Sequence, residues 1–154
     1  MKNRNVYCMK ALVQRVKKSS VEIDGRLFSE IGTGMLVLLG VERGDAEKQA
    51  EELAKKVVNL RIFEDERQKM NLSVLDIKGE LLAVSQFTLA GDTSRGNRPG
   101  FETAARPETA RPLYEYFVDC LRSYGIIVKT GVFQADMQVS LINDGPVTFM
   151  LEKK

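Results

Sequence analysis

Two short segments of this chain carry groups that could do chemistry. Ser85-Gln86-Phe87-Thr88-Leu89 puts hydroxyl, amide, aromatic and hydroxyl groups in immediate succession, at the end of an apolar run and at the mouth of a glycine-rich stretch. Phe87 could stack on a base or belong to the core. Thr88 could be a nucleophile, but no obvious base stands near it in the sequence. Backbone N–H groups at a strand end would polarise a carbonyl without any change of protonation. The second segment is Asn143-Asp144-Gly145-Pro146-Val147-Thr148. Asn-Asp-Gly alone would serve a hairpin turn, and an ordinary turn is the plainer reading. Adding Pro after Gly removes a backbone donor at the mouth of a strand. The trans preference of an X-Pro bond is only about 0.5–1 kcal/mol, so a cis unit is accessible. In that geometry Gly-Pro presents carbonyl oxygens sideways, as a rigid polar edge with no side chain in the way.

The absences narrow the chemistry further. The chain holds no histidine, no tryptophan and two cysteines. Ser-His and Cys-His activation and an imidazole base are therefore excluded, as is a His-bearing zinc site. Two thiols cannot complete a zinc site alone, so neither metal nor cofactor is expected. A hydrolase built from these residues must take its proton acceptor from carboxylates, backbone dipoles or the substrate. The two cysteines do not form a disulfide framework, the start has no apolar signal core, and no run approaches the about 18 apolar residues of a membrane span. A cytoplasmic protein without membrane contact is expected. Net charge is +2, yet Lys2, Arg4, Lys10, Arg15, Lys17 and Lys18 all precede the first acid, Glu22. That face suits a phosphate backbone or, equally, a solvated edge strand.

The elements that must position these groups follow from periodicity. Residues 10–16 read as a strand, and residues 21–31 as a hairpin around Asp24-Gly25. Residues 35–41 form a continuous apolar run that suits a strand buried on both faces. A helix is expected from about 45 to 60, capped by Asp45, with Ala50, Leu53, Ala54, Val57 and Leu60 inward. Residues 72–77 and 80–87, joined by Lys78-Gly79, read as a second hairpin. The irregular stretch 90–106 holds Arg95, Arg98 and Arg106 nearly balanced by Asp92 and Glu102, and a loop this long is usually functional or disordered. A second helix should start near Thr109, with Pro112 in its first turn and Gly125 beyond its end. A strand over 126–129 and a closing hairpin, 137–142 with 147–151, complete one domain over 9–154. Residues 1–8 are expected to be a flexible extension. The hairpin-rich order implies an α+β fold, a curved, barrel-like, mainly antiparallel sheet with two principal helices packed outside.

Several segments also carry a resemblance. Gln14-Arg15-Val16, Arg61-Ile62-Phe63, Met70-Asn71-Leu72 and Ser85-Gln86-Phe87-Thr88-Leu89 are followed by Ala135-Asp136-Met137-Gln138-Val139 and by Asn143 to Thr148. In order and spacing the chain resembles the D-aminoacyl-tRNA deacylases over nearly its whole length from Met9. The resemblance implies a cytoplasmic homodimer that cleaves the ester between a D-amino acid and the 3′-terminal adenosine of tRNA, with no DNA partner. It implies that Ser85, Gln86, Phe87 and Thr88 face the scissile ester. It implies that Gly145-Pro146 is a cis unit reaching into the partner subunit's pocket, a chiral filter to which Asn143 and Met137 also belong. Arg15 and Thr148 support that unit. Glycyl-tRNA would be accepted as well, because a device that excludes L side chains has nothing to exclude. The rival expectation is a non-catalytic RNA-binding or amino-acid-sensing module related to a synthetase editing domain.

Overall fold

The computed structural model describes residues 8–154. The expected N-terminal extension lies outside the described residues except for Cys8, and so do Lys2 and Arg4 of the basic face. The sheet is organised by one long strand, β1 (Met9–Ile23). The chain turns at Asp24-Gly25 and returns along one edge of β1 as β2 (Arg26–Ile31) and β3 (Gly34–Gly40). Asp24 and Gly25 both take positive φ, which is why Asp-Gly serves this turn. Helix α1 (Glu47–Asn59) follows, then a small ribbon of β4 (Phe63–Glu64) and β5 (Met70–Leu72). Strand β6 (Glu80–Ser85) joins β3 in parallel. Helix α2 (Pro107–Arg122) leads to β7 (Ile127–Thr130), which joins β6 in parallel, and β8 (Gln138–Lys153) runs antiparallel along β1. The barrel nearly closes where the Ser29 hydroxyl of β2 donates to the Thr130 carbonyl of β7 at 2.7 Å. The expected barrel-like sheet with two outer helices is present, although its pairing is mixed.

Two apolar clusters explain the order of layers. Met35, Val37, Leu39, Leu81 and Ala83 face the helices, meeting Leu53 and Val57 of α1 and Leu113, Phe117 and Leu121 of α2. Leu36, Leu82 and Val84 point the other way, into the barrel with Val16, Val21 and Ile31. Strands β3 and β6 are thus buried on both faces, and so read as unbroken apolar runs. Burying a Leu or Val side chain contributes about 1.5–3 kcal/mol, so these two strands are the main anchor of the sheet. Gly34 lets them meet: a Cβ there would sit 1.8 Å from the Glu80 carbonyl oxygen.

Four expectations are corrected. Residues 72–77 and 80–87 do not pair; 73–79 are turns fastened by reciprocal Ser73–Asp76 hydrogen bonds, and β6 prefers a parallel partner on which both faces can be buried. The closing hairpin is one strand, β8, whose halves both pair with β1 rather than with each other. Helix α2 begins at Pro107, which takes the first helical position, and Pro112 lies inside the helix. The residue capping α1 is Ala46, whose N–H donates to the Gln49 side chain at 2.8 Å, while Asp45 accepts the Glu42 N–H at 2.7 Å. The basic face is also dispersed: Lys10 pairs with Glu42 at 2.6 Å, and Arg15 is buried.

Burial pushes the Asp45 carboxyl up from 3.8 to about 6, opposed by the hydrogen bond from the Glu42 N–H and reinforced by the Glu42 charge. Folding therefore favours protonated Asp45. Its contribution is fully present below pH 3.8 and is lost as the pH rises through about 6. Asp45→Asn keeps an acceptor for the Glu42 N–H and removes the titration. Thermal melts of both proteins should show the variant gaining on the wild type as pH rises across this window. A difference in melting temperature independent of pH would contradict the assignment.

Candidate active site

The first half of the site is built at the end of β6. Ser85 is the last paired residue, opposite Leu39, and the Gln86 N–H extends the ladder by donating to the Leu39 carbonyl at 2.7 Å. The chain then tightens into a single 3₁₀ turn, Phe87–Ala90. Gly40 makes room for it, since a Cβ there would lie 2.9 Å from Leu89 Cβ. Tyr114 of α2 fixes the strand from behind by donating to the Ala83 carbonyl at 2.6 Å, and burial pushes its phenol up to about 12, so it remains a donor. The Leu89 and Gly91 N–H groups donate within the turn, to the Gln86 and Thr88 carbonyls respectively. Among the described residues the Phe87 and Thr88 N–H groups have no such acceptor, as expected at the start of a helical turn.

A cleft of about 510 Å³ opens beside this strand end. Ser85, Gln86 and Phe87 form one wall, the start of α2 another, and the segment from Phe133 to Met137 a third. Phe87 is 57% exposed and tilts against Phe101 with ring centroids 5.1 Å apart, which decides against a core role. Thr88 stands next to the cleft, and its hydroxyl accepts a hydrogen bond from the Gln86 amide. An amide cannot take the hydroxyl proton, so this contact does not activate Thr88. Met137 occupies the space left by Gly131, where a Cβ would lie 2.4 Å from its sulfur.

Sequence reasoning missed two features of this cleft. Asp136 supplies the single charged side chain that lines it among the described residues. The motif containing Asp136 is visible in the sequence, but its carboxylate gains a role only through the fold. Ala105, Pro107 and Ala110 bring the small-residue start of α2 into the wall, across some twenty residues of chain. No local signal marks that approach.

The remaining candidates gather elsewhere. Strand β8 pairs with β1 at Val16–Asn143 and again at Gln14–Thr148, so four residues, 144–147, stand opposite Arg15 alone. The surplus bulges outward, with Gly145 and Pro146 exposed at its tip, Val147 buried, and the Gly145-Pro146 bond cis. Asn143 closes the neck by donating to the Arg15 and Val147 carbonyls at 2.9 and 3.0 Å. Thr148 accepts from the Gln14 amide at 3.2 Å. The side chain of Arg15, a residue only 6% exposed, donates to the Asp144 carbonyl at 2.7 Å and to the Ile62 carbonyl at 2.8 Å. Carboxylates of Asp144 and Glu64 lie at 3.8 and 3.9 Å. Arg15, Asn143 and Thr148 therefore surround Gly145-Pro146, and none of the five lines the cleft.

A protein-family model described as D-Tyr-tRNA(Tyr) deacylase matches residues 12–152. The D-aminoacyl-tRNA deacylase of Geotalea uraniireducens (strain Rf4) is 65% identical over 144 residues, covering 94% of this chain and 93% of that protein. The protein of the same name from Geobacter sulfurreducens (strain ATCC 51573 / DSM 12127 / PCA) is 58% identical over 146 residues, 95% of this chain and 96% of its own. Among solved structures, one described as c-Myc DNA Unwinding Element Binding Protein superposes with a TM-score of 0.90 at 44% identity, covering 94% of this chain and 99% of that one. A probable eukaryotic D-amino acid tRNA deacylase superposes with a TM-score of 0.80 at 16% identity, over 95% and 100% of the two chains, a likeness of fold.

Replacing Arg15 by Met tests the brace. The change strands two carbonyl acceptors, at about 1–3 kcal/mol each, and should lower stability by roughly 2–6 kcal/mol in denaturant unfolding. A reduction below about 0.5 kcal/mol, the range of ordinary surface substitutions, would contradict it.

Proposed function

The chain belongs to the D-Tyr-tRNA(Tyr) deacylase family and hydrolyses D-aminoacyl-tRNA, and from that premise we propose that its site is assembled from two copies of the chain. The cleft of one copy holds the ester at the end of β6. The Gly145-Pro146 bulge of the other closes over the α-carbon and tests its chirality. The observation that carries this reading is the separation of the two halves within one chain. The bulge is rigidly held and exposed, yet absent from the cleft lining. Strand β8 supports it as well, because β1 is its single paired neighbour among the described residues. Along it Ile142, Phe149 and Met150 are 57%, 40% and 46% exposed. An open edge of this length invites pairing or burial by another chain.

The reaction needs little from ionisable side chains. Water adds to the ester carbonyl, and the tetrahedral oxyanion is met by the unengaged N–H groups of Phe87 and Thr88. A donor of this kind typically contributes about 2.7–4 kcal/mol. Collapse expels the ribose 3′-oxygen, which takes up a proton, and releases the free D-amino acid and tRNA. The neighbouring 2′-hydroxyl of the substrate positions the water and relays its proton, a role for which the chain offers no imidazole. Asp136 attracts the substrate's α-ammonium group into the cleft. Chirality is enforced by exclusion: the bulge carbonyls receive the ammonium of a D residue and leave no space for an L side chain. Glycyl esters pass, because they carry no side chain to exclude. The substrate is aminoacyl-tRNA rather than DNA, and the protein works in the cytoplasm.

Incubation with D-tyrosyl-tRNA and L-tyrosyl-tRNA should show rapid disappearance of the D ester alone. Equal cleavage of both would refute the filter. Gly145→Ala places a Cβ 2.6 Å from the Val147 backbone nitrogen, so the bulge must move. Removing even one charge-assisted hydrogen bond of about 1.5–3 kcal/mol should slow D-ester cleavage at least about tenfold. Unaltered rate and selectivity in that variant would exclude the bulge from the site. Thr88→Ala should stay within about tenfold of wild type, since the hydroxyl makes one ordinary hydrogen bond. A decrease of roughly 10⁴-fold or more, as for a missing nucleophile, would restore the covalent mechanism.

A further inference from the structure

The glycine-rich stretch between β6 and α2 is folded, not loose. Asp92 and Gly100 exchange backbone hydrogen bonds of 2.7 and 2.9 Å, closing a loop over 92–100. The Arg43 N–H donates to the Thr103 carbonyl at 2.8 Å, and the Ala105 N–H to the Val41 carbonyl at 3.0 Å, which ties the far end to the chain just beyond β3. These contacts enclose a polar recess of about 450 Å³, lined among others by Ser94, Arg95, Arg98 and Thr103 and by the carboxylates Asp92 and Glu102. Arg95 and Arg98 are exposed and form no ion pair within 4.0 Å among the described residues. Asp92 is already satisfied, accepting the Ser94 N–H at 2.9 Å and held below the usual carboxylate range by Ser94. Glu102 makes no side-chain hydrogen bond among the described residues.

The recess adjoins the cleft. Phe101, flanked by the lining residues Gly100 and Glu102, packs on Phe87 of the cleft wall, and Ala105 lines the cleft itself. A strand leaving the cleft across the exposed Phe87–Phe101 pair passes directly into the recess. Two guanidinium forks suit the non-bridging oxygens of a phosphodiester. A free carboxylate beside them suits a ribose 2′-hydroxyl, the group by which RNA differs from DNA. Resting on the deacylase reading above, we infer that this recess is a ribose-phosphate subsite for the nucleotide step immediately 5′ to the terminal adenosine. Arg95 and Arg98 hold its phosphate, and Glu102 accepts the preceding 2′-hydroxyl.

The test compares D-tyrosyl-tRNA with the D-tyrosyl ester of free adenosine, which has no phosphate. Arg95→Gln/Arg98→Gln should raise KM for the tRNA substrate about tenfold or more and reduce the slope of log KM against log salt by about 0.7 for each phosphate left without its cation. The effect is confined to the phosphate-bearing substrate. Arg95→Lys/Arg98→Lys keeps the charges and should recover most of the salt slope, which a merely structural role would not do. For Glu102→Gln, a 2′-deoxy substitution in the penultimate nucleotide should have less effect than it has on the wild type. Equal KM changes on both substrates, or none on either, would overturn the subsite. Failure of the wild type to cleave either ester would instead overturn the deacylase reading.

Discussion

The Arg15 guanidinium is the contact on which the rest of the architecture turns. It lies on the same face of β1 as Met9, Ala11 and Val13, which point to the helix side, while Val16 on the alternate face points into the barrel. β1 keeps its register with β3 unbroken from Lys10 to Val16, so the irregularity opposite Arg15 belongs to β8, which carries the surplus residues. The register of β8 shifts at that place, and Arg15 fills the gap with donors that end on the Asp144 and Ile62 carbonyls. A hydrogen bond from a charged group to such an acceptor contributes about 1.5–3 kcal/mol. One residue thus ties the neck of the bulge to the segment after α1 and fixes the outward course of Gly145-Pro146.

This arrangement explains a division of labour. The cleft end of the sheet is organised by small residues, Gly40 and Gly131, that let backbone and Met137 approach closely. The bulge is organised by polar side chains, Arg15 and Asn143, that saturate carbonyls in an irregular stretch. Each half is rigid without the other, which suits a chemistry dependent on positioned backbone dipoles rather than on a titrating side chain.

Much of the fold is legible in the sequence, for identifiable reasons. Asp24-Gly25 reverses the chain through its own φ preferences, and α1 shows its buried face at helical spacing. Both segments of chemical interest are visible as groupings of residue types. The fate of Asn143 to Thr148 is not, because the same turn-forming residues can reverse a chain or bulge out of a continuous strand. The choice depends on whether the flanks prefer each other or β1, more than a hundred residues away. The parallel placement of β6 is a similar case: its four buried residues, Leu81 to Val84, carry the two-sided apolar pattern, but Lys78-Gly79 imitates a hairpin connection. Exposure of Phe87 and the cleft position of Asp136 depend on loops that no periodicity describes. Family membership carries the activity, and backbone donors at the end of β6 are the proposed reason that no histidine is needed.

The most direct test of a site shared between two chains is complementation. Chains carrying Gly145→Ala, damaged at the bulge, and chains carrying Gly40→Val, damaged under the strand-end turn, would be unfolded together and refolded as a mixture. If each cleft is completed by the other copy's bulge, every mixed dimer regains one intact site. Random pairing then restores D-tyrosyl-tRNA hydrolysis to about a quarter of the wild-type rate. A mixture no more active than the mean of its two parents would show that cleft and bulge do not meet across the two chains.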